Sequence, residues 1–372
     1  MRNIHKYIIL SLLLGGLSMT ATAQEIVAIK ADRVDTVTSG LIENGIIVIR
    51  DGKIIAIGAD VEIPENAKII DAHDKTVFPG LINPSSRIGL SSPPGGGPSS
   101  NPHYRVADEL YPFQDAYDRI LQAGFTTLGL IPWGNGITGQ GAIVHTFGTT
   151  PEEMLIAESG FLMINFQAND RAKKVIKDAL DAAKKQEKST DPKIQPLVMA
   201  LKGEIPTYVR CNYPSEVLHL LKLLKPYDKM KVVLITGSEP FHVAKQLAEK
   251  KIPAILSARI NFEQFTRDRI NIPRMLADAD VKIACQPGSD SVQGHQDFLR
   301  AMAQLIQCGL DKEIAKKSIT IHPAEMLGID YRLGSLEVGK DANLLILDGD
   351  PLDVGTKIHQ VMIEGKIIYQ AQ

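Results

Sequence analysis

The segment Val77–Arg87 ends in Ser85 and Arg87, two positions apart. On an extended strand, residues so spaced share a face, which is how a pair of imidazoles clasps one metal ion. A hydroxyl and a guanidinium cannot do that job. The histidines elsewhere give no local ligand spacing either, since His-x-His, His-x-x-x-His and Cys-x-x-Cys are all missing. A site assembled from distant residues stays open. The run from Trp133 to Gly141 is glycine-rich but lacks the lysine of a phosphate-binding loop, so its glycines are read as serving tight turns and close backbone approach. His145 follows it at the end of a strand-like stretch and either faces a ligand or is a hydrogen-bonded structural histidine. Cys211, Cys285 and Cys308 are too few and too scattered for a disulfide framework, and they read as buried small hydrophobes.

These residues need a scaffold, and the composition supplies one. Arg2 and Lys6 precede an apolar run from Tyr7 to Met19, and Ala21-Thr22-Ala23 precede Gln24. This is the pattern of a secretory signal peptide over residues 1–23, so the mature chain is expected outside the cytoplasm, in the periplasm or beyond. No other segment is long and apolar enough to cross a membrane. With 44% hydrophobic residues in the full sequence, the chain can bury a sizeable core. The balance of 41 basic against 43 acidic residues gives no electrostatic footprint for nucleic acid.

Residues 24–75 are strand-rich, with Ile46 to Arg50 and Ile54 to Ile57 joined at Asp51-Gly52, a hairpin signal. The end of the chain repeats it, with Val361 to Ile363 and Lys366 to Tyr369 flanking Glu364-Gly365. The two hairpins are expected in one small β-sandwich formed by residues 24–75 and 333–372. Between them, residues 76–332 alternate short apolar strands with amphipathic helices, the signature of parallel βα units. Seven strands are expected at Thr76 to Ile82, Thr126 to Ile131, Phe161 to Phe166, Thr207 to Cys211, Val232 to Thr236, Pro253 to Leu256 and Val281 to Cys285. An eighth is expected near Leu197 to Leu201. The fold class is therefore α/β, a TIM-like (β/α)8 barrel whose ligand face lies at the C-terminal ends of its strands. The Pro-, Gly- and Ser-rich segment Ser91 to Asn101 falls on that face, as either a lid or a disordered stretch.

Val77-Phe78-Pro79-Gly80-Leu81-Ile82 with the residues up to Arg87 resembles the first barrel strand of the amidohydrolase superfamily, which continues into a metal-binding His-x-His. Gly124-Phe125-Thr126-Thr127 resembles the entry to that family's second strand. Thr320-Ile321-His322-Pro323-Ala324-Glu325-Met326-Leu327-Gly328 and Gly334-Ser335-Leu336-Glu337-Val338-Gly339-Lys340-Asp341-Ala342-Asn343 resemble its C-terminal motifs. Through these motifs the mature chain is similar to the secreted imidazolonepropionase-like branch.

The resemblance implies zinc or another divalent metal, histidines on strands 1, 5 and 6, and an aspartate after strand 8. The matching positions are Ser85 and Arg87 on strand 1, Arg210 and Asn212 on strand 5, and the Gly237-Ser238-Glu239 stretch after strand 6. Asp290 matches the aspartate only with a two-residue slip, and is either the general base that activates water or an ordinary turn or cap residue. A guanidinium about 5 Å from a divalent cation repels it by roughly 7 kcal/mol at an effective dielectric of about 20. No resident cofactor is therefore expected. Arg87 and Arg210 either leave the mouth cationic and suited to a small anionic ligand, or pair with Asp290 or Glu239 and fill the cavity. The expected substrate-binding set is Ser85, Arg87, His145, Arg210, Asn212 and Glu239, with Asp290 as the catalytic candidate.

Three functional readings follow. The first is a relative of hydrolases of cyclic amides that has lost or altered its metal chemistry and keeps a small-molecule pocket. The second is an active carbon–nitrogen hydrolase with a non-standard site around Asp290. The third is a non-catalytic partner of a complete paralogue, and self-association is also expected of such barrels.

Overall fold

The computed structural model describes residues 25–90, 98–186, 188–263 and 265–371. The expected export signal, residues 1–23, and most of the Pro-, Gly- and Ser-rich segment lie outside the described residues.

Both ends of the chain meet in one seven-stranded sheet, as their matching hairpins predict. Strands Ile26–Asp35, Leu41–Arg50, Lys53–Gly58 and Lys68–Pro79 come from the N-terminal part; Leu344–Leu347, Ile358–Ile363 and Lys366–Gln370 come from the C-terminal part. Alternate residues such as Ile29, Ile47, Ile54, Val77, Leu344 and Met362 form its apolar core. The two hairpins lie at opposite edges, yet the sheet curls until their turns touch. Asp51 and Gly52 take φ of 51° and 76°, and Glu364 and Gly365 take 44° and 76°, the doubly positive pattern of a tight hairpin turn. A Cβ on Gly52 would lie 2.9 Å from the Glu364 carbonyl oxygen, so glycine permits the contact.

The strand expected at Thr76 to Ile82 divides at Gly80. Residues up to Pro79 pair with Leu344–Leu347 in the terminal sheet, while Leu81–Ser86 opens the second sheet. That second sheet is an almost closed barrel of eight strands. In chain order they are Leu81–Ser86, Phe125–Leu130, Gly136–His145, Leu155–Asn165, Thr207–Cys211, Val232–Thr236, Ala254–Ser257 and Ile283–Gln286. They pair in that order around the barrel, and the eighth comes back against the first.

Two expectations fail here, for one physical reason each. Leu197 to Leu201 is not a strand; it lies in helix Gln195–Lys202, which has Pro196 in its first turn and ends at Gly203 in the left-handed region. A short apolar run has no periodicity strong enough to separate the two outcomes. The missing strand is instead Gly136–His145, within and beyond the glycine-rich run, and it pairs antiparallel with both neighbours. Its glycines are packing residues: a Cβ on Gly141 would sit 2.1 Å from the Phe161 ring. The barrel is therefore seven parallel strands with one reversed.

Candidate functional site

Ile82, Met163, Tyr208, Ile235, Ile255 and Ala284, from six different strands, pack in one buried cluster that fills the barrel. Residues two further along four of those strands share the inward face: Asn165, Arg210, Ser257 and Gln286. Asn165 and Arg210 are register partners, as are Ser257 and Gln286. The barrel interior thus changes from apolar to polar in one layer, at the C-terminal ends of the parallel strands. One guanidinium stands in that polar layer.

Asp290 is held at the rim by the first strand. Its Oδ1 accepts from the Ser86 hydroxyl at 2.7 Å, and its Oδ2 accepts from the Arg87 backbone N–H at 2.6 Å. The Ser86 Oγ also accepts from the Ile88 N–H at 3.1 Å, which ties the turn after the strand to the same carboxylate. Behind it, helix Val292–Gln296 begins at Ser291, whose hydroxyl accepts from the Gly294 N–H. His295 on that helix donates from Nδ1 to the Ser291 carbonyl at 2.8 Å and accepts at Nε2 from Asn83 at 2.9 Å. The Asn83 Oδ1 in turn accepts from the Ser85 N–H at 3.1 Å. These partners fix His295 as neutral, and burial holds its pKa below the ordinary value.

The two arginines have different fates. The Arg87 side chain donates to the Ile131 carbonyl at 2.8 Å, lies 4.0 Å from Glu109, and stacks 5.9 Å from the Trp133 ring centre. Glu109 also accepts from the Tyr104 hydroxyl. Arg210 makes no side-chain hydrogen bond or ion pair among the described residues, and its Nε is buried without an acceptor. Burial lowers its pKa; Asp290 pulls the other way, and the charge of Arg87 adds to the lowering. Tyr208 below it and Gln286 across the barrel also carry oxygen atoms without a partner, as does the buried hydroxyl of Ser85.

The structure brings Ser85, Arg87, Arg210 and Asp290 to one end of the barrel and leaves out three other candidates. His145 sits at the opposite end, because its strand runs backwards. It contacts Asn343 at 3.3 Å and Glu364 at 3.5 Å, under the terminal sheet and away from the mouth. Glu239 lies on the loop after the sixth strand with φ of 51°, exposed, and its nearest ionic partner is His242 at 4.0 Å. Asn212 is exposed, and its backbone N–H is used to cap the next helix through Glu216 at 2.7 Å. The expected pairing of the arginine side chains with Asp290 or Glu239 does not form. Sequence reasoning missed Asn83, Ser86, His295 and Gln286. The only signal for them was their place beside the strand ends.

A divalent metal does not fit this mouth. Among the described residues, the one group of three or more converging His, Cys, Asp or Glu side chains is Asp32, His73 and Asp74, on the terminal sheet. There His73 already bonds to Asp32 at 2.9 Å.

Residues 173–368 match the model of the amidohydrolase family. The chain is 22% identical over 370 residues to an imidazolonepropionase from Geobacillus sp. (strain WCH70), covering 83% of this chain and 84% of that one. It is also 22% identical over 389 residues to the amidohydrolase tasK of Hapsidospora irregularis, covering 87% of this chain but only 39% of that protein's length. The crystal structure of an amidohydrolase from Thermotoga maritima MSB8 superposes with a TM-score of 0.81 at 24% identity, covering 93% of this chain and all of that one.

Proposed function

Because the chain belongs to the amidohydrolase family, we propose that it is an exported relative of carbon–nitrogen hydrolases that has given up metal-dependent hydrolysis and keeps its barrel mouth as a small-molecule site. Its homologues include hydrolases of such bonds, which supports the chemical class of the ligand as a cyclic amide or a derivative of one. The N-terminal charge, apolar run and Ala21-Thr22-Ala23 support export. Ser85, Arg87, Arg210 and Asn212 stand where the resemblance puts imidazole ligands.

One observation carries this reading: beside the two guanidiniums of the mouth stand two carboxylates, and both are engaged, Asp290 in fastening the end of the first strand and Glu109 with Tyr104 and Arg87. A divalent ion entering here would face the roughly 7 kcal/mol repulsion of a guanidinium about 5 Å away. That is about five decades of affinity. The residues present bind and orient; they supply no Lewis acid.

Elemental analysis of protein purified without chelator tests the proposal directly. The expected result is well below one zinc, manganese or iron per chain, with no turnover of lactams, hydantoins or N-acyl amino acids. Stoichiometric metal overturns the proposal. Turnover abolished by Asp290→Asn points instead to an active hydrolase using Asp290 as base. A complete paralogue recovered in stoichiometric amount from native extract assigns the chain a partner role.

A further inference from the structure

We propose that Arg210 is the anion receptor of the barrel mouth, and that the ligand presents one carboxylate to it. The inference rests on the metal-free reading of the mouth and adds the charged group by which a cyclic-amide derivative would be held there.

A guanidinium is the least tolerable group to leave half-desolvated, because it has five donors and never deprotonates at working pH. Arg210 is partly buried among barrel side chains, its Nε has no acceptor, and no carboxylate lies within ion-pair distance among the described residues. The two carboxylates that might have served are engaged elsewhere. Asp290 takes Ser86 and the Arg87 N–H, while Glu109 takes Tyr104 and faces Arg87. Arg87 is itself turned to the Ile131 carbonyl and the Trp133 ring. Asp290 acts on Arg210 only at a distance, so the Arg210 guanidinium is left without a direct acceptor, and a planar carboxylate from outside the fold matches its fork. A dianion would be repelled more strongly than a monoanion by the nearby Asp290.

The surroundings define the rest of the ligand. The layer beneath Arg210 is apolar, with Met163, Tyr208, Ile235 and Ile255. On the loops above, Trp133 is 53% and Tyr213 60% exposed, both following strands that end at the mouth. A small monocarboxylate with a flat apolar body fits this combination.

The test uses the full chain, with sodium benzoate as probe and sodium chloride at equal ionic strength as control. Calorimetric titration is expected to give saturable benzoate binding that weakens roughly 10- to 100-fold in Arg210→Met, the scale of one lost charge-assisted contact. In chloride alone, Arg210→Met is expected to melt at or above the wild-type temperature, since it removes a guanidinium the fold leaves without a direct acceptor. Arg210→Lys should retain part of the affinity, as a point charge without the fork. Equal benzoate affinity in wild type and Arg210→Met, or sodium phosphate binding as tightly as benzoate, overturns the assignment. So does a fall in the melting temperature of Arg210→Met. Metal content separates the two failures: stoichiometric metal removes the metal-free reading, whereas metal-free protein with the same benzoate affinity in wild type and Arg210→Met removes only the carboxylate assignment.

Discussion

At the scale of single residues, the mouth is built from small polar groups that hold one another rather than from the charged groups that stand out in the sequence. Ser86 is fully buried and its hydroxyl is shared between Asp290 and the Ile88 N–H. Ser86→Ala should therefore cost about 1–3 kcal/mol, because it strands a backbone donor as well as losing a bond to a carboxylate. A urea-denaturation midpoint unchanged in Ser86→Ala would show that Asp290 is not a strand anchor. His295 makes a second, pH-dependent prediction. Its folded-state pKa lies below the ordinary 6.5, with burial as the largest cause and the Ser291 carbonyl and Asp290 opposing it. His322, bonded to the Ile283 carbonyl, is lowered in the same way. The unfolded chain then binds more protons near pH 6, so stability is complete above 6.5 and falls as the pH drops through and below it. Urea midpoints between pH 7.5 and 5.5 should decline, at up to about 1.4 kcal/mol per pH unit for each unbalanced proton. His295→Gln should flatten the slope, and an unchanged slope would remove His295 from the account.

At the scale of elements, the reversed third strand sets what can face the mouth. Gly141 lies against the Phe161 ring, which stacks on Tyr208 with centres 4.2 Å apart, directly under the Arg210 layer. Gly141→Val should cost about 3 kcal/mol or more through overpacking, and Gly141→Val combined with Phe161→Leu should recover part of it. Equal stability of Gly141→Val and wild type, by thermal melting, would contradict this packing. The same strand marks where sequence reading stopped. The hairpins at Asp51-Gly52 and Glu364-Gly365 and all seven proposed parallel strands, the first of which divides at Gly80, were legible, because turn residues and alternating burial are local signals. Gly136–His145 was not, since its glycines imitate a loop and its direction depends on partners far along the chain. That reversal carried His145 away from the mouth. The clustering of Ser86, Arg87 and Asp290 was half legible: each residue lies at a strand end, but which one consumes the aspartate is a matter of side-chain geometry.

At the scale of the whole molecule, the terminal sheet and the barrel are joined by more than the chain passing through Gly80. Asp35, at the end of the first strand of the terminal sheet, meets Lys316 of helix Lys312–Ser318 at 2.7 Å, with side chains only 4% and 10% exposed. The Asp35 Oδ1 also accepts from the Val37 N–H, and Lys316 has a second partner in Glu313 at 3.0 Å. The consequences of breaking this pair are therefore unequal. Lys316→Met leaves a buried carboxylate with one backbone donor, and should cost about 3–5 kcal/mol. Asp35→Asn keeps an acceptor for Val37 and leaves Lys316 with Glu313, so it should cost less. The double variant should be more stable than the sum of the two losses allows, because neither charge is left alone. Because the pair ties the terminal sheet to a helix of the barrel part, all three variants should still melt in a single transition. Additive losses in this cycle, or a separate early transition for the terminal sheet, would mean that the two parts fold independently and that Asp35 and Lys316 do not couple them.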